Sequence, residues 1–304
     1  MARKNKTTAG VIGLGSMGLG VARTLLTKGF ETHACDVRPD VLAAFASEGG
    51  HAHTSPAELA AAVDVVIVLV VNAEQTSTVL FGKDGAAANL KQGSVVIASA
   101  TVAPEFAADL DERLSSKGIL MIDAPVSGGA ARAAKGELSI MASGNPDAFA
   151  RAADVLDAIA AKVYRLGDTA GMGSKVKMIN QLLAGVHIAS ACEAMALGIR
   201  AGADPEVLYE VISNSAGSSW MFQNRVPHIL QGDYTPLSAV SIFVKDLGIV
   251  LDSAKKMTFP LPLTAAAHQL YLAAAGAGLS GEDDSAVIKV YQQLSGIELP
   301  SKKK

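Results

Sequence analysis

Short apolar runs alternate with helix-start signals through the first half of the chain. The runs have the length and content of buried strands, and they cover residues 9–14, 32–35, 65–70, 94–98, 119–122, 138–142 and 163–166. One helix start is a capping box with proline at the first helical position, Ser55-Pro56-Ala57-Glu58, and Asn145-Pro146 repeats the arrangement. Strands that alternate with helices of this length form a mostly parallel sheet covered on both faces. The pattern therefore predicts an α/β fold built on a doubly wound parallel sheet.

From residue 171 onward the pattern is helical almost to the end. Residues 175–200 contain no proline, so they can form one helix of about 40 Å at 1.5 Å per residue. Its middle is apolar nearly all round, and such a helix must be covered by a helical bundle or by a dimer partner. Asp204-Pro205 starts the next helix, and further helices are expected around Tyr209, Val244, Leu270 and Val290. We therefore predict an α/β domain of residues 1–170 and an all-helical domain of residues 171–304, joined by the long helix.

Composition narrows the function classes. The chain has 304 residues, of which 50% are hydrophobic, and this is enough to bury the cores of two domains. A formal net charge of -3 gives no reason to expect nucleic acid or an anionic membrane as partner. The two cysteines, Cys35 and Cys192, belong to no CxxC motif or His/Cys cluster, so the sequence indicates neither a disulfide framework nor a metal site. We expect a protein of the reducing cytoplasm.

Three segments could suggest a membrane or a polyanion as partner. The uncharged residues 257–281 exceed a membrane span in length, but Pro260 and Pro262 interrupt them and alanine and glycine replace leucine. The basic segments 3–6 and 302–304 are short and terminal, which is typical of solvated tails. None of these three segments changes the expectation that the protein has neither a membrane nor a polyanion as partner.

A glycine motif follows the first predicted strand directly. Gly13, Gly15 and Gly18 have the GxGxxG spacing that opens a helix beneath a dinucleotide pyrophosphate. Asp36 ends the second predicted strand 18 residues after Gly18, where a carboxylate can accept hydrogen bonds from the adenosine ribose. A carboxylate repels the 2'-phosphate of NADP, so Asp36 favours NAD, although Arg38 leaves NADP open. The alternative is a glycine turn with an unrelated surface aspartate.

The predicted strand at residues 119–122 ends in a loop that carries a hydroxyl and two adjacent glycines. Pro125 stops the hydrogen-bond ladder of the strand, and Gly128 and Gly129 let bare backbone N–H groups approach a ligand beside Ser127. Such a loop suits an anion, most simply a carboxylate. The alternative is a tight turn from strand to helix that binds nothing.

The start of the long helix offers a proton-transfer group. Lys177, Asn180 and Gln181 stand at i, i+3 and i+4, so one helix face presents an ammonium and two amides in an apolar setting. A lysine that loses hydration there is expected to have a lowered pKa and to exchange a proton with a substrate hydroxyl near neutral pH. The alternative is an ordinary lysine that reaches solvent, which is what we expect of Lys175.

Other polar residues carry weaker indications. Thr101 follows a predicted strand, where its hydroxyl either faces a cofactor or caps the next helix. Lys245-Asp246 is interpreted first as an intrahelical or surface charge pair that contributes little. Trp220 and Asn224 are expected in a serine-rich turn that could line a pocket, while His268 on an alanine-rich helix is expected to be structural.

Four motifs taken in order resemble the β-hydroxyacid dehydrogenase family, the family of 3-hydroxyisobutyrate dehydrogenase. They are GLGSMG at residues 13–18, DAPVSGG at 123–129, KMINQ at 177–181 and KD at 245–246. The resemblance covers nearly the whole chain, and it implies a Rossmann domain, an all-helical domain and oxidation of a small hydroxy acid with NAD, NADP being less expected. It also implies a homodimer or homotetramer.

Carried over residue by residue, the resemblance implies Lys177 as the general acid/base. It implies a substrate carboxylate held by Ser127, Gly128 and Gly129, and a contact from Asn180, or from Gln181 one position on, to the reacting hydroxyl or carboxylate. The implied cofactor contacts are Gly13, Gly15, Met17, Gly18, Asp36, Val70, Val71, Thr101 and Lys245. No metal is implied.

Within the family, residues 218–225 and 242–247 are most similar to the members that oxidise L-threonate, at C2. Relatives often carry an aromatic residue where this chain has Ser238. A pocket wall that is more open or more polar there suits a polyhydroxylated acid better than a methyl-branched one. The alternatives are 3-hydroxyisobutyrate or tartronate semialdehyde chemistry on the same scaffold. An alternative from another class is a dinucleotide-binding protein without catalysis.

Overall fold

The computed structural model describes residues 7–301, so the basic segments 3–6 and 302–304 lie outside the described residues. Contacts divide the chain into two compact units, Met1–Lys177 and Met178–Lys304. The first unit is a sheet with helices and the second is helical. The predicted fold class, an α/β domain followed by an all-helical one, is confirmed.

The first unit is built on a nine-stranded mixed sheet. Within the described residues the strands are β1 Ala9–Ile12, β2 Thr32–Cys35, β3 His51–His53, β4 Val65–Val68, β5 Val95–Ala98, β6 Leu120–Asp123, β7 Val126–Ser127, β8 Leu138–Gly144 and β9 Ala160–Arg165. The strand order is β3-β2-β1-β4-β5-β6-β8-β7, with β9 also paired to β8. Strands β1 to β6 pair in parallel, while β8 runs antiparallel to β6 and β7.

Helices cover the sheet on both faces, because alternate residues of the central strands belong to two separate cores. Val65 and Ile67 of β4 lie in one core, whereas Val66 and Val68 lie in the other. The helices of this unit are α1 Gly18–Thr27, α2 Pro39–Ser47, α3 Pro56–Ala62, α4 Ala73–Phe81, α5 Pro104–Ser115, α6 Gly129–Ala133 and α7 Pro146–Ile159. Continuous apolar strands are what a sheet buried on both faces requires.

The predicted helix caps of this unit are confirmed. The Ser55 side chain accepts a hydrogen bond from Glu58 N, and the Asn145 side chain accepts one from Asp147 N. These side chains satisfy backbone donors that have no partner within the helix, which fixes where each helix begins.

The second unit is a bundle around a long apolar helix. Its helices are α8 Met172–Arg200, whose first turns lie in the first unit, α9 Pro205–Ser213, α10 Trp220–Gln231, α11 Val240–Lys256, α12 Pro262–Ala274 and α13 Ile288–Ser295. Ile188, Cys192 and Met195 of α8 lie in its core. A buried ion pair joins α10 to the segment before α13, with Arg225 Nε 2.5 Å from Asp284 Oδ1. Among the described residues, α8 is the single helix with the length and hydropathy of a membrane span.

One expected turn is a helix instead. Trp220 and Asn224, placed by the sequence in a serine-rich turn, lie in α10, and Ser219 caps that helix by accepting from Phe222 N. The serine that suggested a turn is an N-cap residue, a position that serine favours.

Candidate functional site

The glycine motif forms an open cradle between β1 and α1. Gly13 has a φ of 93°, a conformation that favours glycine. A Cβ on Gly18 would lie 1.8 Å from the Gly13 carbonyl oxygen, so the turn can close only without a side chain there. A Cβ on Gly15 would meet no atom within 4 Å. Met17, the N-cap residue of α1, makes no side-chain capping bond. The loop therefore fits a dinucleotide pyrophosphate, which needs a close backbone and an uncapped helix N-terminus.

Asp36 lies directly after β2, and both of its carboxylate oxygens are hydrogen-bonded. Leu14 N donates to Oδ2 at 2.6 Å, and Arg38 Nε donates to Oδ1 at 2.8 Å. Burial by itself raises the pKa of Asp36, but the hydrogen bonds from Arg38 and Leu14 outweigh it and hold the pKa below its usual value. Asp36 is thus a fixed negative charge at the second strand, next to the glycine loop.

Arg38 also donates hydrogen bonds to this carboxylate, so it competes for Asp36 with a ribose hydroxyl. Its Nη2 group donates to Asp36 Oδ2 at 3.1 Å and to the Leu14 carbonyl at 2.8 Å. A carboxylate has about four acceptor positions, and Arg38 and Leu14 supply four donors. A ribose hydroxyl that bonds to Asp36 would therefore displace one of these four donors.

Three further predicted cofactor residues follow the carboxyl ends of the neighbouring strands. Val70 borders the glycine loop, since a Cβ on Gly13 would lie 3.2 Å from Val70 Cγ1. Val71 is 49% exposed. Thr101 follows β5, and because Ala103 is the N-cap residue of α5, Thr101 does not occupy the cap position. The carboxyl edge of a parallel sheet is where open α/β folds bind their ligands.

A buried carboxylate, Asp123, joins the end of β6 to the first turn of α8. Its Oδ2 accepts from Gly171 N at 2.9 Å and from Ser174 N at 2.8 Å, and its Oδ1 accepts from Ser174 Oγ at 2.7 Å. Ser143 Oγ lies 3.4 Å from Oδ2. Burial raises the pKa of Asp123 above its ordinary value, although these hydrogen bonds oppose the shift. This carboxylate fixes where α8 starts relative to the sheet.

The predicted carboxylate-binding loop follows Asp123. Val126 and Ser127 form β7, the two-residue strand paired antiparallel with β8, and α6 begins at Gly129. Gly128 and Gly129 have φ values of 132° and 69°, so both adopt backbone conformations that suit glycine. A Cβ on Gly129 would meet no atom within 4 Å. The space beside Gly129 is thus open, whereas a Cβ on Gly128 would lie 2.9 Å from Arg132 Cδ.

Lys177 lies in the second turn of α8 and is 7% exposed. It is therefore not a solvent-reaching lysine, whereas Lys175 is exposed as expected. Because Asp123 bonds to Ser174, three residues before Lys177, the helix that carries this ammonium is tied directly to the strand that leads into the loop at residues 127–129. A buried lysine that is rigidly held can act as a proton-transfer group.

The second unit contains a polar network in which Asp246 is central. Gln181 Nε2 donates to Asp246 Oδ2 at 2.5 Å, and Lys245 Nζ donates to Asp246 Oδ1 at 2.5 Å. Asn180 Nδ2 donates to Gln181 Oε1 at 2.9 Å. Lys245 and Asp246 both lie in α11, so of the two expectations for this pair the intrahelical one is confirmed. The surface alternative is wrong, because Asp246 is 2% exposed. The carboxylate orients Lys245 and both amides, three of the predicted site residues.

Several side chains have structural partners. His268 Nε2 lies 2.9 Å from the Val244 carbonyl, as expected of a structural histidine. Asn224 accepts from Arg225, and Trp220 is 59% exposed. The Ser238 hydroxyl hydrogen-bonds to the buried Asp284, so it is engaged in the ion-pair cluster of the second unit. This engagement removes the argument that Ser238 makes a substrate pocket more polar.

Sequence reasoning missed three organising residues: Asp123, Ser174 and Asp246. Each is a polar residue whose burial depends on a partner distant in sequence, as in the 65-residue separation of Gln181 and Asp246. One sequence signal could have indicated Asp123 and Asp246: an acidic residue at a strand end or inside an apolar run is seldom buried without partners.

Comparison with known protein families gives two matches that together span most of the chain. The family described as the NAD binding domain of 6-phosphogluconate dehydrogenase matches residues 8–167. The family described as NAD-binding of NADP-dependent 3-hydroxyisobutyrate dehydrogenase matches residues 171–291. The first unit is therefore an NAD-binding domain, which agrees with the cradle at Gly15.

Individual relatives are similar over almost their whole length. The L-threonate dehydrogenase of Cupriavidus necator is 66% identical over 293 residues, covering 96% of this chain and 98% of the relative. The L-threonate dehydrogenase of Pectobacterium atrosepticum is 49% identical, covering 100% of this chain and 99% of the relative. A crystal structure described as 3-hydroxyisobutyrate dehydrogenase from Salmonella typhimurium has a TM-score of 0.90 and 51% identity, and it covers 94% of this chain and 100% of that chain.

Proposed function

Because this chain belongs to the β-hydroxyacid dehydrogenase family, we propose that it oxidises L-threonate with NAD, at C2, to the 2-oxo acid. The observation that carries the proposal is the bond between Asp123 and the first turn of α8. It joins the strand that leads to the loop at residues 127–129 to the helix that carries Lys177, within one compact unit. A carboxylate site and a proton-transfer group held by one scaffold are what oxidation of a hydroxy acid requires.

We assign cofactor binding to the glycine cradle and the residues around it. The uncapped start of α1, with Gly13, Gly15, Met17 and Gly18, takes the pyrophosphate. Asp36 takes the adenosine ribose and disfavours a 2'-phosphate, which gives the preference for NAD. The nicotinamide half is assigned to Thr101 and Lys245, and Val70 and Val71 flank the cofactor. Bound NAD supplies the hydride acceptor.

The chemical step uses Lys177 as general base. Ser127, Gly128 and Gly129 hold the substrate carboxylate, so the carbinol carbon is fixed relative to the Lys177 Nζ atom. The hydroxyl proton passes to this amine while the carbinol hydrogen leaves as hydride, and a ketone remains. Asn180 and Gln181 donate to the reacting hydroxyl or to the carboxylate, and their orientation is set by Asp246.

L-Threonate is proposed as substrate because two relatives of that activity match the chain from end to end at 66% and 49% identity. The second candidate is 3-hydroxyisobutyrate oxidation, which the 51% identical Salmonella typhimurium structure favours by its description. Reduction of tartronate semialdehyde is a related candidate, in which chemistry of the same kind runs in the reverse direction, from a carbonyl to a hydroxyl group.

We further propose a cytoplasmic homodimer or homotetramer. Apolar side chains of α8 and α9 are exposed in the single chain, with Leu197 69% and Val207 57% exposed. A second copy of the chain would remove such side chains from water. Light scattering coupled to size-exclusion chromatography gives the oligomer number directly.

An absorbance assay at the NADH band tests the substrate. Purified protein is supplied with L-threonate, D-threonate, 3-hydroxyisobutyrate or glycerate, each with NAD and with NADP. The proposal predicts the highest kcat/KM for L-threonate with NAD. A higher value for 3-hydroxyisobutyrate would assign the second candidate, and NAD binding without turnover of any acid would assign a non-catalytic dinucleotide-binding protein.

A further inference from the structure

Three histidines lie together at the edge of the sheet, on the two strands farthest from β6. His33 of β2 is directly paired with His51 of β3, and Cys35 is paired with His53. Since side chains two residues apart on a strand share one face, these histidines project to the same side of the β2–β3 pair. The His33 and His51 rings stack at 4.7 Å, and the His33 and His53 rings stack at 5.0 Å. The function proposed above uses none of them.

One ring nitrogen in this cluster is buried without a hydrogen-bond partner. His33 is 6% exposed, and its Nε2 atom is one of three such side-chain atoms among the described residues. Glu31 Oε1 lies 3.5 Å from His33 Nε2, beyond the range of a good N–H···O hydrogen bond. A buried polar atom without a partner costs free energy, so it points to a ligand that the protein binds.

The other nitrogen of His33 is already engaged. His33 Nδ1 lies 2.8 Å from His53 Nε2, so one of these two atoms donates to the other. When Nδ1 carries the proton, His33 Nε2 carries a lone pair, and Glu31 Oε1 lies 3.5 Å from it. A metal-binding histidine is usually held in this way, with its second nitrogen bonded to a neighbouring group that fixes the tautomer.

The charge state of the cluster also suits a cation. The Glu31 carboxylate supplies one negative charge. Two imidazoles and a carboxylate form the donor set of many three-ligand zinc sites, which keep a fourth position for water.

We propose that Glu31, His33 and His51 bind a divalent transition-metal ion of the Zn²⁺ type, and that His53 holds His33 in the binding tautomer. One donor atom from each of these three residues lies within 4.8 Å of the other two. Tetrahedral zinc ligands lie about 3.4 Å apart, given bonds of about 2.1 Å. Because Glu31 and His51 are exposed, rotation of their side chains can close the remaining gap.

Such an ion would fasten β3 to the rest of the sheet. This strand has three residues, and two of them are exposed. The ion would join His51, the first residue of β3, to His33 of β2, two residues before Cys35 and three before Asp36. We therefore assign the site a structural role at the edge of the cofactor-binding unit, separate from hydride transfer.

The test uses tag-free full-length protein that has been dialysed against a chelator. Zn²⁺ is titrated against a chromophoric chelator of known affinity, and Co²⁺ is added separately to record the visible absorption of a tetrahedral site. We expect one Zn²⁺ per chain. The His51→Gln variant changes an exposed side chain and should lower the affinity at least 100-fold. The His53→Gln variant should keep one site with 10-fold to 100-fold weaker binding.

His187→Gln is the matched control, since it removes an imidazole outside the cluster and should leave Zn²⁺ binding unchanged. Thermal unfolding provides a second measurement: added Zn²⁺ should raise the Tm of the wild type and of His187→Gln, and should leave that of His51→Gln unchanged. Equal Zn²⁺ affinity in the wild type and His51→Gln would overturn the proposal, as would the absence of stoichiometric binding in the wild type. Because NADH formation is not measured, failure here is distinguishable from failure of the proposed function.

Discussion

Replacing Asp123 should separate positioning of the active lysine from cofactor binding. In the Asp123→Ala variant, the backbone N–H groups of Gly171 and Ser174 and the Ser174 hydroxyl lose their acceptor in a buried setting. An unsatisfied buried donor costs about 1–3 kcal/mol, so the free energy of unfolding should fall by at least about 3 kcal/mol. Asp123→Asn keeps one oxygen for the two N–H groups and should lose only about 1–2 kcal/mol, because charge-assisted bonds become neutral ones.

The catalytic effect should exceed the effect on binding. A shift of the first turn of α8 displaces Lys177 relative to the loop at residues 127–129, and a displacement of about 1 Å can reduce turnover about 100-fold. We expect kcat of Asp123→Asn to fall about 10-fold to 100-fold while the Kd for NAD stays the same, because the glycine cradle does not contact Asp123. Urea unfolding, NADH formation and NAD titration by fluorescence measure the three quantities.

Asp109→Asn is the matched control, since Asp109 is an exposed aspartate of the same unit that forms an ion pair with Arg113 at 3.5 Å. It should leave stability and kcat unchanged. The reasoning fails if Asp123→Asn folds with wild-type stability and wild-type kcat. It also fails if NAD affinity falls in step with kcat, because the defect would then extend to the cofactor site.

Three further predictions concern buried or bonded carboxylates. Asp36→Asn should weaken NAD binding. It should also narrow the preference for NAD over NADP by at least 10-fold in kcat/KM, since the negative charge is lost and Arg38 becomes available to a 2'-phosphate. An unchanged NAD/NADP ratio contradicts the assignment of Asp36 to the ribose. Asp246→Asn should lower kcat and destabilise the protein by about 2 kcal/mol in urea unfolding, because Lys245 and Gln181 lose a buried charged partner. A wild-type kcat in this variant would contradict the role given to the polar network around Asp246. Burial raises the pKa of Asp284 to about 6, so its contribution to stability is full below about pH 4 and is lost as the pH rises through 6. The stability of the wild type relative to Asp284→Asn, measured by urea unfolding, should therefore decline between pH 4 and pH 7, and a flat difference argues against the raised pKa.

The sequence predicts the sheet and its helices where local signals agree with packing. The strand at residues 32–35 and the caps at Ser55 and Asn145 match the structure because apolar runs and capping side chains act over a few residues. The sequence does not predict strand β3, because its residues, His51-Ala52-His53, form a short, polar strand at the edge of the sheet. The sequence also does not predict the two-residue strand β7, because its pairing with β8, on the far side of α6, and not its composition defines it.

The candidate site is less accessible to sequence reasoning, because its organisation depends on contacts between distant residues. The motifs around Gly13 and Lys177 are contiguous and can be read directly. The bonds from Asp123 to Ser174 and from Gln181 to Asp246 span 51 and 65 residues, so no local pattern predicts them. The histidine cluster is equally hard to predict from a local pattern, because the register of two parallel strands is what places His33 beside His51.

The most direct test of the proposed function compares the wild type with Lys177→Ala for NADH formation from L-threonate. We predict turnover of L-threonate by the wild type at higher kcat/KM than of 3-hydroxyisobutyrate. Lys177→Ala should lose about 100-fold or more in kcat and retain the wild-type Kd for NAD. Equal kcat in the wild type and Lys177→Ala, with folding and NAD binding intact, would contradict the assignment of Lys177 as general base.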